Sequence, residues 1–331
     1  MSQCCPVCEN KQDIQTIEDL KTYLILQCPH CGLSFTDPMD YTTEFYEAAY
    51  GPDGAPISSV EAGRIQRIVH GETSRDLFKK NFFRNVFRRY SLLRNVQCLT
   101  LNWLKKTVVP GARVLDIGCG SGAFLAALRD FGFTPVGMDV AQRPLEVLRT
   151  FGYEVYQGIV NDYPDAAPKP DVVTFFEVLE HLSNPVGFLK EIHQRFPNAA
   201  IVFSVPSPKR VGLLHGRELF DYPPHHFTRW TSSSIQTAVV AAGYSPPSIV
   251  YPHPGPLDFS GSGLWQWTKK WFLHSNKTRF SELSVAMESG IGEHSRFSVL
   301  IWAGKLLLYS PAIILRTFQG YSSTSLWVRA R

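Results

Sequence analysis

From Arg113 onward, short apolar runs alternate with stretches of helical character, and this alternation limits the chain to few folds. ARVLDIG (112–118), TPVGMDV (134–140), YEVYQG (153–158), DVVTFFEV (171–178) and AAIVFSVP (199–206) read as strands. Helical segments separate them at Ala123–Phe131, around Leu145–Phe151 and at Val186–Phe196. Strands linked through helices of ~10–15 residues form βαβ units, so the sheet is parallel and covered on both faces. SPPSIVYP (245–252) and SLWVRAR (325–331) are two later strand candidates. The expectation is an α/β fold with a doubly wound, mostly parallel, seven-stranded sheet over 111–331. With 44% hydrophobic residues in 331, the chain has ample material for a core and is too apolar to be disordered.

The flanks read differently. Seven cysteines are an odd number, and four fall in two tight pairs, Cys5-Pro-Val-Cys8 and Cys28-Pro-His-Cys31, nineteen residues apart. That spacing is the one four-cysteine zinc sites use. Two thiolates three positions apart on a tight turn reach one tetrahedral ion at ~2.3 Å, and two such turns close the site, which makes the ion structural. Gly32 permits the left-handed turn of the second knuckle. Cys4 is an alternative first ligand, but leaves three residues before Cys8, so Cys5 is preferred. His30 is expected to be exposed, and Cys98 and Cys119 to be buried thiols. Residues 1–40 are therefore a small zinc-binding knuckle unit, with Cys5, Cys8, Cys28 and Cys31 as ligands.

Residues 41–110 read as a basic helical linker or lid, with Phe82, Phe83, Val86, Phe87 and Tyr90 at helical spacing. Between Arg64 and Lys106 stand eleven Lys/Arg against Glu72 and Asp76, although the whole chain carries only +4. Such a segment is either a solvated helix face or the neighbour of an anion: phosphate, nucleic acid or membrane surface. A helical insertion is expected at about 253–320. It holds Trp265, Trp267 and Trp271 beside Lys269 and Lys270, then VLIWAGKLLLYSPAIIL broken by Lys305 and Pro311. The breaks exclude a clean membrane span. The segment reads as a lid, with peripheral membrane contact through 264–315 as the other reading. The start, MSQCCPVCEN, lacks a secretory pattern, so the expected location is the cytoplasm, with the inner face of the membrane as the peripheral variant.

VLDIGCGSGAFL carries the strongest chemical signal. Gly118, Gly120 and Gly122 stand where a strand turns into a helix, so the backbone can approach a ligand closely. These glycines alone also satisfy a loose dinucleotide fingerprint. Asp116 shifts the balance: a carboxylate two residues before the first glycine opposes a diphosphate and suits a cationic amino-acid ligand. Asp139, about twenty residues past the loop, is placed to accept two hydroxyl hydrogen bonds.

VLDIGCGSG resembles the first motif of class I S-adenosylmethionine-dependent methyltransferases, and the resemblance covers about 113–205. It implies a Rossmann-like methyltransferase fold in which Gly118 to Gly122 wrap the methionine part of S-adenosyl-L-methionine. It further implies that Asp139 binds the ribose, that Ile159 and Val160 lie at the adenine, and that Phe176 holds a cofactor-contacting place. FFEVLEHL (175–182) resembles the fourth-strand motif of the ubiquinone-type O-methyltransferases and their relatives.

Candidate bases belong at the carboxyl ends of the strands. His181 fits that position, as do His225 and His226 in DYPPHHFTRW (221–230), where Pro223-Pro224 stiffens the loop. Glu177 and Glu180 are read as capping or orienting the following helix. The expected activity is methyl transfer to an oxygen or carbon of a small-molecule acceptor, sugar-, glycan- or lipid-linked. RNA methylation, with the zinc unit and basic helices as grip, is one alternative. A cofactor-binding scaffold without catalysis is another.

Overall fold

The computed structural model describes residues 4–40, 96–210, 221–252 and 325–331. The Phe82–Tyr90 pattern, most of the basic segment and the 253–320 insertion, including 264–315, lie outside these residues.

Two sheets are present among the described residues. The larger has seven strands: β4 (Arg113–Ile117), β5 (Thr134–Asp139), β6 (Glu154–Gln157), β7 (Val172–Phe176), β8 (Ala200–Pro206), β10 (Ser248–Val250) and β11 (Ser325–Ala330). Their order is β10-β11-β8-β7-β4-β5-β6. Strands β4 to β8 pair in parallel, whereas β11 runs antiparallel to β8 and β10 antiparallel to β11. The expected seven-stranded, mostly parallel sheet is thus present. Its inner strands are buried almost continuously, as a sheet covered on both faces requires. Phe175 of β7 and Phe203 of β8 stack with centroids 4.7 Å apart.

The covering helices form where their apolar residues recur on one face. Helix α1 (Val96–Thr107) lies against β11, where the Trp327 indole N–H donates to Thr100 Oγ1 at 2.9 Å. Helix α2 (Ala123–Asp130) buries Phe124, Leu125 and Leu128, and α3 (Gln142–Thr150) buries Leu145 and Leu148. Helix α4 (Pro185–Arg195) starts with Pro185 at its first turn and Asn184 as its cap, accepting from the Gly187 N–H at 3.0 Å. The cap is therefore Asn184; Glu180, assigned a capping or orienting role from the sequence, is fully buried elsewhere.

The smaller sheet was not foreseen. Residues 15–37 form an antiparallel meander, β1 (Gln15–Asp19), β2 (Leu24–Gln27) and β3 (Ser34–Asp37). Its fourth strand, β9 (Thr228–Arg229), comes from almost two hundred residues later and pairs antiparallel with β3. Helix α5 (Ser232–Ala241) follows at once, started by Thr231 and Ser234 in a reciprocal cap. Cys5, Val7, Leu26, Leu33 and Phe35 then share one apolar cluster with Trp230, Ile235 and Ala238.

Candidate active site

The larger sheet reverses its order of travel between β4 and β7, since β5 lies on one side of β4 and β7 on the other. Ligands of open α/β sheets bind outside the strand ends at such a switch point. Asp116 of β4 sits there, 3% exposed, and Thr174 of β7 donates to its Oδ1 at 2.7 Å across the switch. Burial, reinforced by the nearby Asp139 charge, pushes the Asp116 carboxyl up to about 7, although the Thr174 bond opposes the shift. A buried anion with one hydroxyl partner is a place where a cationic ligand group gains a great deal.

The loop after β4 is shaped by left-handed backbone at Gly118 (φ 73°), Gly120 (φ 48°) and Gly122 (φ 73°). A Cβ at Gly118 would stand 2.7 Å from Val178 Cγ2, and one at Gly122 only 2.3 Å from Leu148 Cδ2. Gly120 differs: a Cβ there meets nothing within 4 Å. Two glycines are thus demanded by packing, and the middle one borders open space.

Asp139 closes β5. Its Oδ2 accepts from the Gly120 N–H at 2.8 Å and its Oδ1 from the Ala141 N–H at 2.9 Å. The carboxylate fixes the glycine loop against the start of α3, and each oxygen keeps a further lone pair for a ligand hydroxyl. Past β6, the Ile159 N–H donates to Asp162 at 2.8 Å, and the Ile159 side chain is 54% exposed. Val160 is fully buried in the core, so of the two residues only Ile159 offers apolar surface. Phe176 packs edge-on against Phe124 with centroids 5.0 Å apart. Asp116, the three glycines, Asp139 and Ile159 line the ends and loops of β4, β5 and β6, a set whose chemistry suits an amino acid, a ribose and a base.

A second group gathers at the ends of β7 and β8. Glu180 is fully buried, and neither carboxyl oxygen has a hydrogen-bond partner of good geometry. His181 Nε2 and His226 Nε2 lie 4.0 and 3.9 Å from its Oε1, and the two rings meet edge to face at 4.7 Å. His226 Nδ1 faces Asp221 Oδ1 at 3.4 Å, and Asp221 is paired with the buried Arg210. His181 Nδ1 lies 2.6 Å from the His225 carbonyl oxygen, which makes it the protonated nitrogen and leaves Nε2 with its lone pair. Burial and the His226 charge lower the His181 pKa to about 4, so its imidazole is neutral at pH 7. The donor atoms of Glu180, His181 and His226 fall within 4.8 Å of one another, close enough to share a proton or a cation. His225 stands outside that set; its carbonyl orients His181. Sequence reasoning passed over Glu180 as an active-site member and missed the pairing of Arg210 with Asp221, because only the fold shows that these charges are buried together.

The four cysteines form a third group. Cys5 and Cys31 Sγ are 3.6 Å apart, Cys8 and Cys28 Sγ 3.5 Å, and all four lie within 4.8 Å of one another. A tetrahedral site with ~2.3 Å bonds has sulfur edges of about 3.8 Å, so the cluster fits a zinc ion. Cys5 is in the cluster, whereas Cys4 is exposed. His30 is exposed and Cys119 buried, as expected; the Cys98 side chain lies outside the description. Both knuckles turn through left-handed backbone, Gly32 (φ 75°) in one and Glu9 (φ 57°) in the other. Cys5 is held down to about 5, mainly by its hydrogen bond with Cys31, and burial pushes Cys8 up to about 11.

Comparison with known proteins agrees with this geometry. Residues 83–247 match the family model "Methyltransferase domain". A "Ubiquinone biosynthesis O-methyltransferase" of Leptothrix cholodnii is 34% identical over 122 residues, covering 34% of this chain and 52% of that protein. One of Pseudomonas aeruginosa (strain LESB58) is 30% identical over 121 residues, covering 34% and 51%. The chain thus spans about half the length of the curated relatives it matches. A solved SAM dependent methyltransferase from Archaeoglobus fulgidus aligns over 76% of this chain and 99% of that one, at 15% identity and a TM-score of 0.42, a likeness too loose to bear on function. The glycine loop, the two acids and the strand order, together with the matched family, show that the chain belongs to the class I S-adenosylmethionine-dependent methyltransferases.

Proposed function

We propose that this protein transfers the methyl group of S-adenosylmethionine to a hydroxyl oxygen of a small-molecule acceptor. The observation that carries the reading is the buried Asp116–Thr174 pair beneath the glycine loop, a carboxylate waiting for an ammonium group at the switch point. Asp116 binds the amino group, Gly120 lets the backbone approach, Asp139 accepts from the ribose hydroxyls, and Ile159 packs on the base. The cofactor, when bound, supplies an electrophilic methyl on a sulfonium. The chain's remaining task is to align the acceptor and remove its proton.

The base is His181. Its Nδ1 proton is held by the His225 carbonyl, its Nε2 carries the lone pair, and its imidazole is neutral. A hydroxyl proton passes to Nε2 as the oxygen takes the methyl. His181→Ala is expected to lower turnover 10²–10³-fold with cofactor affinity unchanged. Four thiolates at Cys5, Cys8, Cys28 and Cys31 hold a structural zinc ion with no open position. The names of the relatives support a hydroxylated small-molecule acceptor, and the apolar sequence at 264–315 supports one that is lipid-linked.

The test is incubation of the zinc-loaded protein with labelled S-adenosylmethionine and a cell extract, the product identified by mass. A methylated small molecule supports the reading, and label on RNA replaces it with the RNA alternative. Failure of the protein to bind cofactor in equilibrium dialysis overturns both.

A further inference from the structure

The four-cysteine unit has no hinge to the catalytic sheet among the described residues; it is bonded to the acceptor side of the site. Residue 227 is the bridge. The Thr36 N–H of β3 donates to the Phe227 carbonyl at 2.9 Å, and the Phe227 N–H donates to the Glu180 carbonyl at 2.8 Å. One buried peptide segment therefore spans the cysteine sheet and the end of β7, with His226 just before it and His181 just after Glu180. The next residues extend the contact. Ser34 and Phe35 pair with Arg229 and Thr228. The Thr231 hydroxyl reaches the Cys31 carbonyl at 3.4 Å, at the knuckle itself, and a Cβ on Gly32 would be 3.2 Å from Thr231 Oγ1. Tyr222 OH lies 3.4 Å from Glu18 at the other end of the segment.

The segment 221–231 is thus gripped along its length by residues 18–36, which carry Cys28 and Cys31 of the cysteine cluster. A sheet of this size has too little apolar surface to hold its shape without its metal. The cofactor groups lie on the other half of the large sheet, at β4, β5 and β6, and none of Asp116, Gly120 or Asp139 bonds to the cysteine unit. We infer that the four-cysteine unit is a metal-dependent clamp that positions His226 and His181 for the acceptor step, acting through Thr36, Phe227 and Thr231, and leaves cofactor binding alone. This rests on the proposed methyl transfer for what the histidines do, but not for the clamp.

Two perturbations of the full-length protein test it. One is wild type stripped of zinc by a chelator and reloaded with zinc chloride. The other is Thr36→Pro, which deletes the N–H that holds Phe227 while every cysteine stays. Hydrogen exchange of the 221–231 peptide, dialysis with labelled S-adenosylmethionine and zinc content are read together. The clamp predicts exchange of that peptide at least tenfold faster in both cases, cofactor Kd within twofold of wild type, and restoration by zinc in the stripped protein only. Thr36→Pro should retain one zinc. Thr231→Ala should speed exchange of the same peptide, and Thr231→Ser should restore it. Unchanged exchange after zinc removal overturns the clamp. So does cofactor affinity falling in parallel with exchange, since that reports general unfolding. A zinc-loaded wild type that never binds cofactor defeats the methyltransferase reading instead, and leaves the exchange result standing.

Discussion

At the residue scale the burial of Asp116 sets two opposed pH dependences. Its carboxyl is raised from 3.8 to about 7 in the folded chain. A raised acid binds its proton more tightly when folded, so its contribution to stability falls as pH rises between those values and is level above. Ligand binding runs the other way, because an ammonium group needs the ionised form. Cofactor affinity should therefore rise by up to tenfold per unit as pH climbs toward about 7 and then flatten. Asp116→Asn should melt higher than wild type at pH 8 without ligand, yet bind cofactor at least tenfold more weakly and without that pH dependence. Calorimetry and dialysis across pH 5–8 check both. The glycines give a second contrast. Gly122→Ala drives a methyl to 2.3 Å from Leu148 in left-handed backbone and should cost roughly 2–4 kcal/mol in chemical denaturation. Gly120→Ala meets no neighbouring atom, so only its left-handed backbone counts; it should cost about 1–2 kcal/mol of stability and lose cofactor affinity more than tenfold.

At the element scale the weak points are short pieces that owe their form to partners. Strand β9 has two residues and exists because β3 lies beside it. Helix α5 starts on Thr231, whose hydroxyl accepts from the Ser234 N–H and also reaches the Cys31 carbonyl. Thr231→Ala should lower unfolding free energy by about 1–2 kcal/mol, and Thr231→Ser by less than half of that, measured by urea denaturation. The parallel strands and helices α2 to α4 were legible in the sequence because each carries its own periodicity and stop signals. VVTFF and AIVFSVP are too apolar for any but doubly covered strands. Strand β9 has no such pattern. Its residues TR lie inside a loop rich in proline and histidine, and only the edge of β3, far earlier in the chain, turns them into a strand. Helix α5 did leave a trace, TSSS before IQTAVVA, which reads as a cap once its partners are known.

At the scale of the whole molecule, the proposed function divides the described residues across the large sheet. One half, ending in Asp116, Gly120, Asp139 and Ile159, has the chemistry of a cofactor site. The other, ending in Glu180, His181 and His226, has the chemistry of proton transfer, and the cysteine unit is built onto that half. Among the described residues no helix is long and apolar enough to cross a membrane. Native mass spectrometry should find one zinc per chain. Replacing Cys28 and Cys31 together by serine should remove it and lower the melting temperature by several degrees, a loss zinc chloride does not reverse.

The order of apolar runs determined the sheet, and the spacing of two C-x2-C pairs and of GCGSG with its two acids determined which ligands we propose for the chain. These are local patterns, in which the chemistry needs residues a fixed few positions apart. Which charges are buried together and how the first forty residues grip the histidine loop were decided by the tertiary structure alone. Such relations join residues such as Thr36 and Phe227, or Asp116 and Thr174, whose separation along the chain carries no signal, and folding supplies the energy that brings them within hydrogen-bond reach.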